Sequence, residues 1–383
     1  MPSADFKSHR PCATGGTHPV FENLFFVSAV SFESARQVEF LPSMHKSRRL
    51  HGHSFTARTR VCLPANWASF PGEEVGTLKK TLSQSVSALD YDLLNNHIEV
   101  PTDENIARWI KQGLDVPGLQ TVGIQSMKDQ GADLDANGHA HIWRRFRFEA
   151  AHRLPNVPPE HKCGRMHGHS FEVILHADQD ISGRDMGVDF DHLDRCWAPF
   201  HEQFDHYCLN DLPGLENPTS EMLAAWIWQR LKPDLPELSW VTVYETATAG
   251  CHFDGMHYRI FKDQRFESAL RLAKAPEGDK RRRLHGHSYL LRLHLSAPLD
   301  PVLGWTVDYG DVKELFKPLY RQLDHHQLDE LEGLTNADTA SLLYWIREHI
   351  QDQLPQLDRI DLYETPGCGA ILSWGEQGPA LPS

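Results

Sequence analysis

The 383-residue chain has no run of apolar residues near the roughly 20 that a membrane-spanning helix needs, which argues against an integral membrane protein. Its first twenty residues, MPSADFKSHRPCATGGTHPV, lack an apolar stretch and do not read as a secretory leader. Cysteine is scarce. Seven residues, an odd number without dense spacing, fit free thiols in a reducing cytoplasm better than a disulfide framework. Basic residues are also few, 38 against 52 acidic ones, for a net charge of -14. A general nucleic-acid or membrane-surface binder leans the other way, so neither partner is expected. The 40% apolar and 23% charged residues form an ordinary globular balance that excludes wholesale disorder. What the chain has in excess is histidine, with 24 residues.

Those histidines mark a repeat. LHGHSF begins at Leu50, MHGHSF at Met166 and LHGHSY at Leu284. A related segment precedes each: SFESAR ending at Arg36, RFEAAH ending at His152 and RFESAL ending at Leu270. LDYDLLNN, FDHYCLND and LDHHQLDE then align, followed by a Trp-Ile pair at Trp109, Trp226 and Trp345. The blocks VGIQS, TVYET and DLYET close each copy and put Gln125, Glu245 and Glu364 in correspondence. Five matched blocks in one order give three tandem domains, near 20–140, 141–255 and 256–378. Polar stretches such as DLDANGHA at 133–140 read as the joins.

The middle copy shows the coarse pattern best. FRFEAAHRL alternates as a strand, and Phe171, Val173 and Leu175 alternate along a second. Residues 189–207 read as a helix, and Asn217-Pro-Thr-Ser-Glu221 opens another. Short strands near 240–245 and 251–253 complete the order ββααββ. The predicted class is α+β, an antiparallel sheet with two helices on one face.

His167 and His169 stand two apart on one strand and so share a face. His152 lies on the preceding strand and can converge with them. Three neutral imidazoles and an open fourth position suit a catalytic Zn²⁺, although three histidines also accept other divalent ions.

F-x-x-x-H, C-x-x-x-H-G-H, D-H-x-x-L-N, P-T-S-E and Y-E-T together resemble the 6-pyruvoyl-tetrahydropterin synthase family. The closer likeness is the branch forming 6-carboxy-tetrahydropterin for queuosine and related deazapurines. The resemblance implies the tunnelling (T) fold, in which three units join their sheets into a barrel and two rings stack with sites between units. One three-unit chain would then be a pseudo-trimer and a homodimer a pseudo-hexamer. Residue by residue, it implies that His152, His167 and His169 hold zinc, that Cys163 is the catalytic thiol, and that Asp205 and His206 are its Asp-His partners. Glu245 would hold the guanidine-like edge of the pterin, with Glu221 of P-T-S-E also in the substrate site. A cysteine beside a metal and histidine is expected to have a depressed pKa.

The outer units depart from this pattern. Unit one has Arg36 for the first ligand, Ser47 for the thiol, Asp90-Tyr91 for Asp-His and Gln125 for the anchoring glutamate, and keeps Glu104. Unit three has Leu270, Arg281 and Ala340 at altered positions but keeps Asp324, His325 and Glu364. One complete site per chain is expected, and unit three is a possible donor of an Asp-His pair to the middle site. The basic run Lys280-Arg281-Arg282-Arg283 reads as a solvated loop, a triphosphate contact or a charged plug. The function expected is a cytoplasmic carbon–oxygen lyase on 7,8-dihydroneopterin triphosphate. The alternatives are 6-pyruvoyl-type chemistry, another reduced pterin, a pterin-binding or regulatory protein, and a scaffold whose outer units only complete a ring.

Overall fold

The computed structural model describes residues 22–179 and 188–375, so the outer limits 20 and 378 expected for the first and third domains lie outside the described residues. Unit one runs β1 (Asn23–Arg36), β2 (His51–Val61), α1 (Glu74–Val86), β3 (Asp92–Leu93), α2 (Asp103–Gly113), β4 (Leu119–Met127) and β5 (Gln130–Asp135). Unit two runs β6 (Ala140–His152), β7 (His167–Asp178), α3 (Phe190–Phe204), β8 (Tyr207–Cys208), α4 (Ser220–Leu231), β9 (Leu238–Thr246) and β10 (Ala249–Phe253). Unit three runs β11 (Tyr258–Leu270), β12 (His285–Ser296), α5 (Tyr309–Leu323), α6 (Thr339–Ile350), β13 (Leu357–Thr365) and β14 (Cys368–Ser373). The long elements of each unit follow the order ββααββ.

All fourteen strands belong to one sheet. It closes on itself because β14 pairs with β1, Asn23 opposite Ser373 through Val27 opposite Gly369. The units join by hairpins, β5 to β6 and β10 to β11. Residues 133–140 are therefore not a free linker. Asp133 to Asp135 are in β5 and Ala140 opens β6, with Gly138 at φ +92° making the turn. Polarity there reflects a tight turn and an inward-facing aspartate, not separation of domains.

Alternation sorts each strand into two faces. In unit two Phe148, Phe171 and Val173 meet Trp197, Phe200 and Phe204 of α3 and Leu223 and Trp226 of α4. Phe148 and Phe171 stack at 5.1 Å across the β6–β7 pair. Each fully buried ring of this kind contributes about 2–3 kcal/mol, enough to fix strand register against slippage. The helices start where side-chain caps allow. Asp189 accepts from the His192 N–H at 2.6 Å, and Thr219 from the Met222 N–H at 3.1 Å.

The opposite face lines the barrel interior and buries charged groups among apolar side chains such as Trp143, Ile174, Tyr244 and Phe261. Arg292 is bidentate to Asp263 at 2.6 and 2.9 Å, and Arg359 to Asp361 at 2.6 and 2.8 Å. His294 meets Asp361 at 3.3 Å. Thr242 links His176 at 3.1 Å to His252 at 2.8 Å, and the rings of His252 and His294 stack 6.0 Å apart. Pairing of this kind is what allows charge to remain buried.

Among the described residues no helix is long and apolar enough to cross a membrane. The expectation of free thiols needs one correction. Cys163, Cys196, Cys208, Cys251 and Cys368 are free, but Cys62 is disulfide-bonded.

Candidate active site

The site in unit two is built at the ends of β6 and β7, on the helix-facing side. His152 pairs opposite His167, and Ala150 opposite His169. Gly168 separates the two histidines because its own face is closed. A Cβ there would lie 3.1 Å from the Ala150 carbonyl oxygen. The His152 Nδ1–H donates to the Pro218 carbonyl at 2.9 Å, and the His167 Nδ1–H to the Arg165 carbonyl at 2.8 Å. That fixes the tautomer and leaves each Nε2 as a lone-pair donor. His152 Nε2 and His169 Nε2 are buried without a hydrogen-bond partner. Burial, with its imidazole neighbours adding to it, holds His152 down to about 4, and burial likewise lowers His169. Both of these rings are therefore neutral at pH 7, as metal ligands must be.

A fourth side chain joins them. Glu245 on β9 places Oε1 3.6 Å from His169 Nε2, and ligand atoms of His152, His167, His169 and Glu245 all lie within 4.8 Å of one another. Among the described residues no other group of three or more such side chains is this close. Orphaned, buried, neutral imidazole nitrogens beside a carboxylate fit a divalent ion such as Zn²⁺. Burial pushes Glu245 up to about 7, and the carboxylates of Glu221 and Asp308 add to the shift.

Cys163 lies on a short 3₁₀ turn, Lys162–Gly164, half-buried. Burial raises its thiol, Glu245 raises it further, and Lys162 pulls it back. Together the protein groups around the thiol do not lower it, so the expected depression would have to come from a bound metal ion. Asp205 accepts from the Glu149 N–H at 2.9 Å and from the His206 ring at 2.8 Å, and the His206 side chain is 79% exposed. His206 takes φ +57°, as Tyr91 (+55°) and His325 (+59°) do at the same place in units one and three. None of the hydrogen bonds of the pair runs to Cys163. Asp324 and His325 repeat the geometry at 3.0 Å. His325 lines a shallow hollow of about 580 Å³ with Leu284, His285 and His287 of its own unit.

Unit three also lines the middle site, by a segment that sequence reasoning missed. Thr306 donates its backbone N–H to Glu221 at 2.8 Å, and the Tyr309 hydroxyl meets Ser220 at 2.7 Å. Asp308 meets His161 at 3.1 Å. Units two and one are joined similarly by His45 to Asp191 at 3.0 Å, and units one and three by Arg281 to Glu73 at 3.2 Å.

Unit one is closed by substitution. Arg36 pairs opposite His51 as His152 does opposite His167, and its guanidinium reaches the Pro101 carbonyl at 3.1 Å, Asp103 at 2.6 Å and His53 at 3.2 Å. The alignment of Gln125 with Glu245 is corrected by strand pairing. Thr56 faces Gln125, whereas Glu172 faces Tyr244, so Ser126 holds the place of Glu245. Ser126 donates to Asp103 at 2.5 Å. In unit three Glu364 accepts from Thr339 at 2.6 Å, and Leu270 is buried at the first ligand position, that of His152. The basic run is not simply a solvated loop. Arg281 stacks over Phe70 at 4.5 Å and pairs with Asp279 and Glu73.

The chain matches a protein family described as 6-pyruvoyl tetrahydropterin synthase three times, over residues 27–128, 141–256 and 259–374. It is 42% identical over 119 residues to the 6-carboxy-5,6,7,8-tetrahydropterin synthase of Synechocystis sp., covering 29% of this chain and 91% of that protein. It is 26% identical over 112 residues to the dihydroneopterin monophosphate aldolase of Pyrococcus furiosus, covering 28% and 95%. The solved 6-pyruvoyl tetrahydropterin synthase of Caenorhabditis elegans is 21% identical with a TM-score of 0.27, covering 29% of this chain and 92% of that one.

Proposed function

Because the chain belongs to the 6-pyruvoyl tetrahydropterin synthase family of enzymes, we propose that it is a zinc-dependent carbon–oxygen lyase with one active site per chain. Its substrates are 7,8-dihydroneopterin triphosphate and water: triphosphate leaves by carbon–oxygen cleavage, the side-chain carbon–carbon bond breaks to release a two-carbon aldehyde, water supplies the second carboxylate oxygen, and 6-carboxy-tetrahydropterin remains. The observation that carries this reading is the cluster of His152, His167, His169 and Glu245, found only in unit two among the described residues. The name of the Synechocystis relative supports the carboxy branch.

His152, His167 and His169 hold the ion through Nε2. When bound, Zn²⁺ polarises side-chain oxygens of the substrate and eases proton removal beside them. Cys163 is the base for that proton. Glu245, in a nearly dry position, accepts N–H donors from the pterin edge, and such charge-assisted pairs fix orientation. Glu221, held by the Thr306 N–H and hydroxyl, is a second carboxylate for the substrate site.

The Asp-His pair completes the site from elsewhere, either from unit three or from a second copy. His325 of the Asp324-His325 pair lies beside exposed Leu284, and His206 of the other pair is itself exposed. A second copy docking there forms the homodimer and pseudo-hexamer.

Metal per chain by elemental analysis, together with mass spectrometry of products from 7,8-dihydroneopterin triphosphate, tests the reading. About one zinc and a carboxy-pterin are expected. A pyruvoyl product assigns the other branch. Tight pterin binding without turnover assigns a binding protein, a role that Glu364 in unit three keeps open.

A further inference from the structure

Three contacts across the boundary between units two and three end on one loop. His161 sits at the start of the turn carrying Cys163, and its Nδ1 accepts the Cys163 backbone N–H at 3.2 Å. That acceptor role puts the ring proton on Nε2, which lies 3.1 Å from Asp308 Oδ2 of unit three. The His161 ring also lies 5.8 Å from the Trp305 ring. Asp308 is itself anchored, because its Oδ1 accepts from the Gly310 and Asp311 N–H groups and caps α5. Its partner side is a quarter exposed or less, with His161 at 25% and Asp308 at 18%.

We propose that Asp308 is a positioning residue for Cys163, acting through His161, so that the thiol of unit two is set by unit three. The chain of contacts runs from the α5 cap to the carboxylate, to the imidazole and to the backbone of Cys163. One Asp oxygen is held by two backbone N–H groups, and the imidazole is held at both nitrogens. Unit three has Asp279 in place of His161, which caps the Arg281 N–H at 2.8 Å. A short acceptor therefore suffices to cap the turn, and the imidazole adds reach across a boundary: in unit one His45 likewise accepts from the Ser47 N–H at 3.1 Å and meets Asp191 of unit two at 3.0 Å, but only in unit two does the tied turn carry a thiol. The inference rests on Cys163 being the reactive thiol, and its test does not depend on which pterin is turned over.

The zinc-loaded full chain is compared with Asp308→Asn and Asp308→Ser. Both variants remove the charge and both residues cap helices well, but only asparagine keeps an acceptor long enough to reach His161. The rate of iodoacetamide labelling is read at Cys163 by peptide mass spectrometry, with Cys196 and Cys208 as internal references. Asp308→Ser is expected to label several-fold faster at Cys163 alone, and Asp308→Asn to stay within about twofold of the parent. Where turnover is measured, Asp308→Ser loses about 10- to 100-fold in kcat with little change in KM. His161→Asn, which keeps the cap but loses the reach, is the second variant and should match Asp308→Ser. Equal labelling and kcat in Asp308→Asn and Asp308→Ser overturn the proposal. A labelling contrast with no pterin turnover by the parent keeps the positioning role and removes the enzymatic reading instead.

Discussion

The guanidinium of Arg36 lies 2.6 Å from the carboxylate of Asp103, both buried, at the place in unit one that the metal cluster occupies in unit two. Arg36 touches the Pro101 carbonyl as His152 touches that of Pro218. A fixed side-chain cation thus stands where the other unit gathers ligands for a mobile one. Arg36→Met leaves Asp103 buried with one hydroxyl partner and is expected to destabilise the chain by about 3–5 kcal/mol, because an orphaned buried charge loses more than the pair contributes. Pairing it with Asp103→Ser should recover most of the loss, and a double-mutant thermal-unfolding series measures that coupling. The combination of Arg36→His, Asp103→Ser and Ser126→Glu rebuilds the donor set of unit two. Zinc content is expected to rise from about one to about two per chain, and an unchanged content would refute the equivalence.

The metal should report on stability as well as chemistry. His152→Ala is expected to remove nearly all bound zinc, since the remaining ligands leave a weak site. Chelation of the parent should lower its melting temperature, by about 4 kcal/mol of linkage when free zinc is a thousandfold above Kd. His152→Ala should already melt at the chelated value and respond little to chelator.

The two side chains assigned to substrate should separate kinetically. Cys163→Ala is expected to lower kcat by about 10²- to 10⁴-fold with zinc content intact. Glu245→Gln loses a charge-assisted bond, which weakens pterin binding by about 10- to 100-fold. A Cys163→Ala enzyme with normal kcat would remove the thiol from the mechanism.

Activity of His206→Ala and His325→Ala assigns the Asp-His pair. If only one variant is silent, that unit supplies the pair. If both retain full activity, neither pair takes part.

The barrel interior predicts an acid-sensitive fold. Burial holds His176 and His294 down to about 3, and holds His252 well below its ordinary value. These three are neutral when folded and take up protons on unfolding below about pH 6.5. The unfolded chain therefore binds more protons, so stability rises with pH between about 3 and 6.5 and is fully present above that range. Each histidine contributes a slope of up to about 1.4 kcal/mol per pH unit. Melting temperatures at pH 5 and pH 7 should differ markedly, and His252→Gln should shallow the dependence. A flat profile over that range contradicts the buried neutral assignment.

Much of this protein was legible before its structure. HGH with a histidine fifteen residues upstream states a shared face and two adjacent strands, which is local geometry. The ββααββ order likewise follows from alternation and from caps such as Thr219. Two kinds of feature were not legible. The first is register across a bulge. VGIQS and TVYET align by similarity with Gln125 on Glu245, yet β4 pairs with β2 so that Ser126 takes that place. The second is contact between units. Asp308, Thr306 and Tyr309 lie 85 to 147 residues from their partners in unit two, and helix-capping chemistry alone accounts for an aspartate before α5. Arg281 was visible as part of a charge run, but its stacking on Phe70, over two hundred residues away, was not.

The hairpins joining β5 to β6 and β10 to β11 have a consequence for concentration. Where three separate chains form a ring, every wall between sites is lost on dilution, and a change in the gene alters all three walls together. Here all three boundaries are intramolecular, two through hairpins and the third through the β14–β1 pairing of the same chain, so neighbouring units meet at an effective concentration of roughly the millimolar range whatever the dilution. Each unit also carries its own copy of every position. The walls can therefore diverge one at a time, and Arg36 and Arg281 could appear in their units while His152 and Cys163 were left in place.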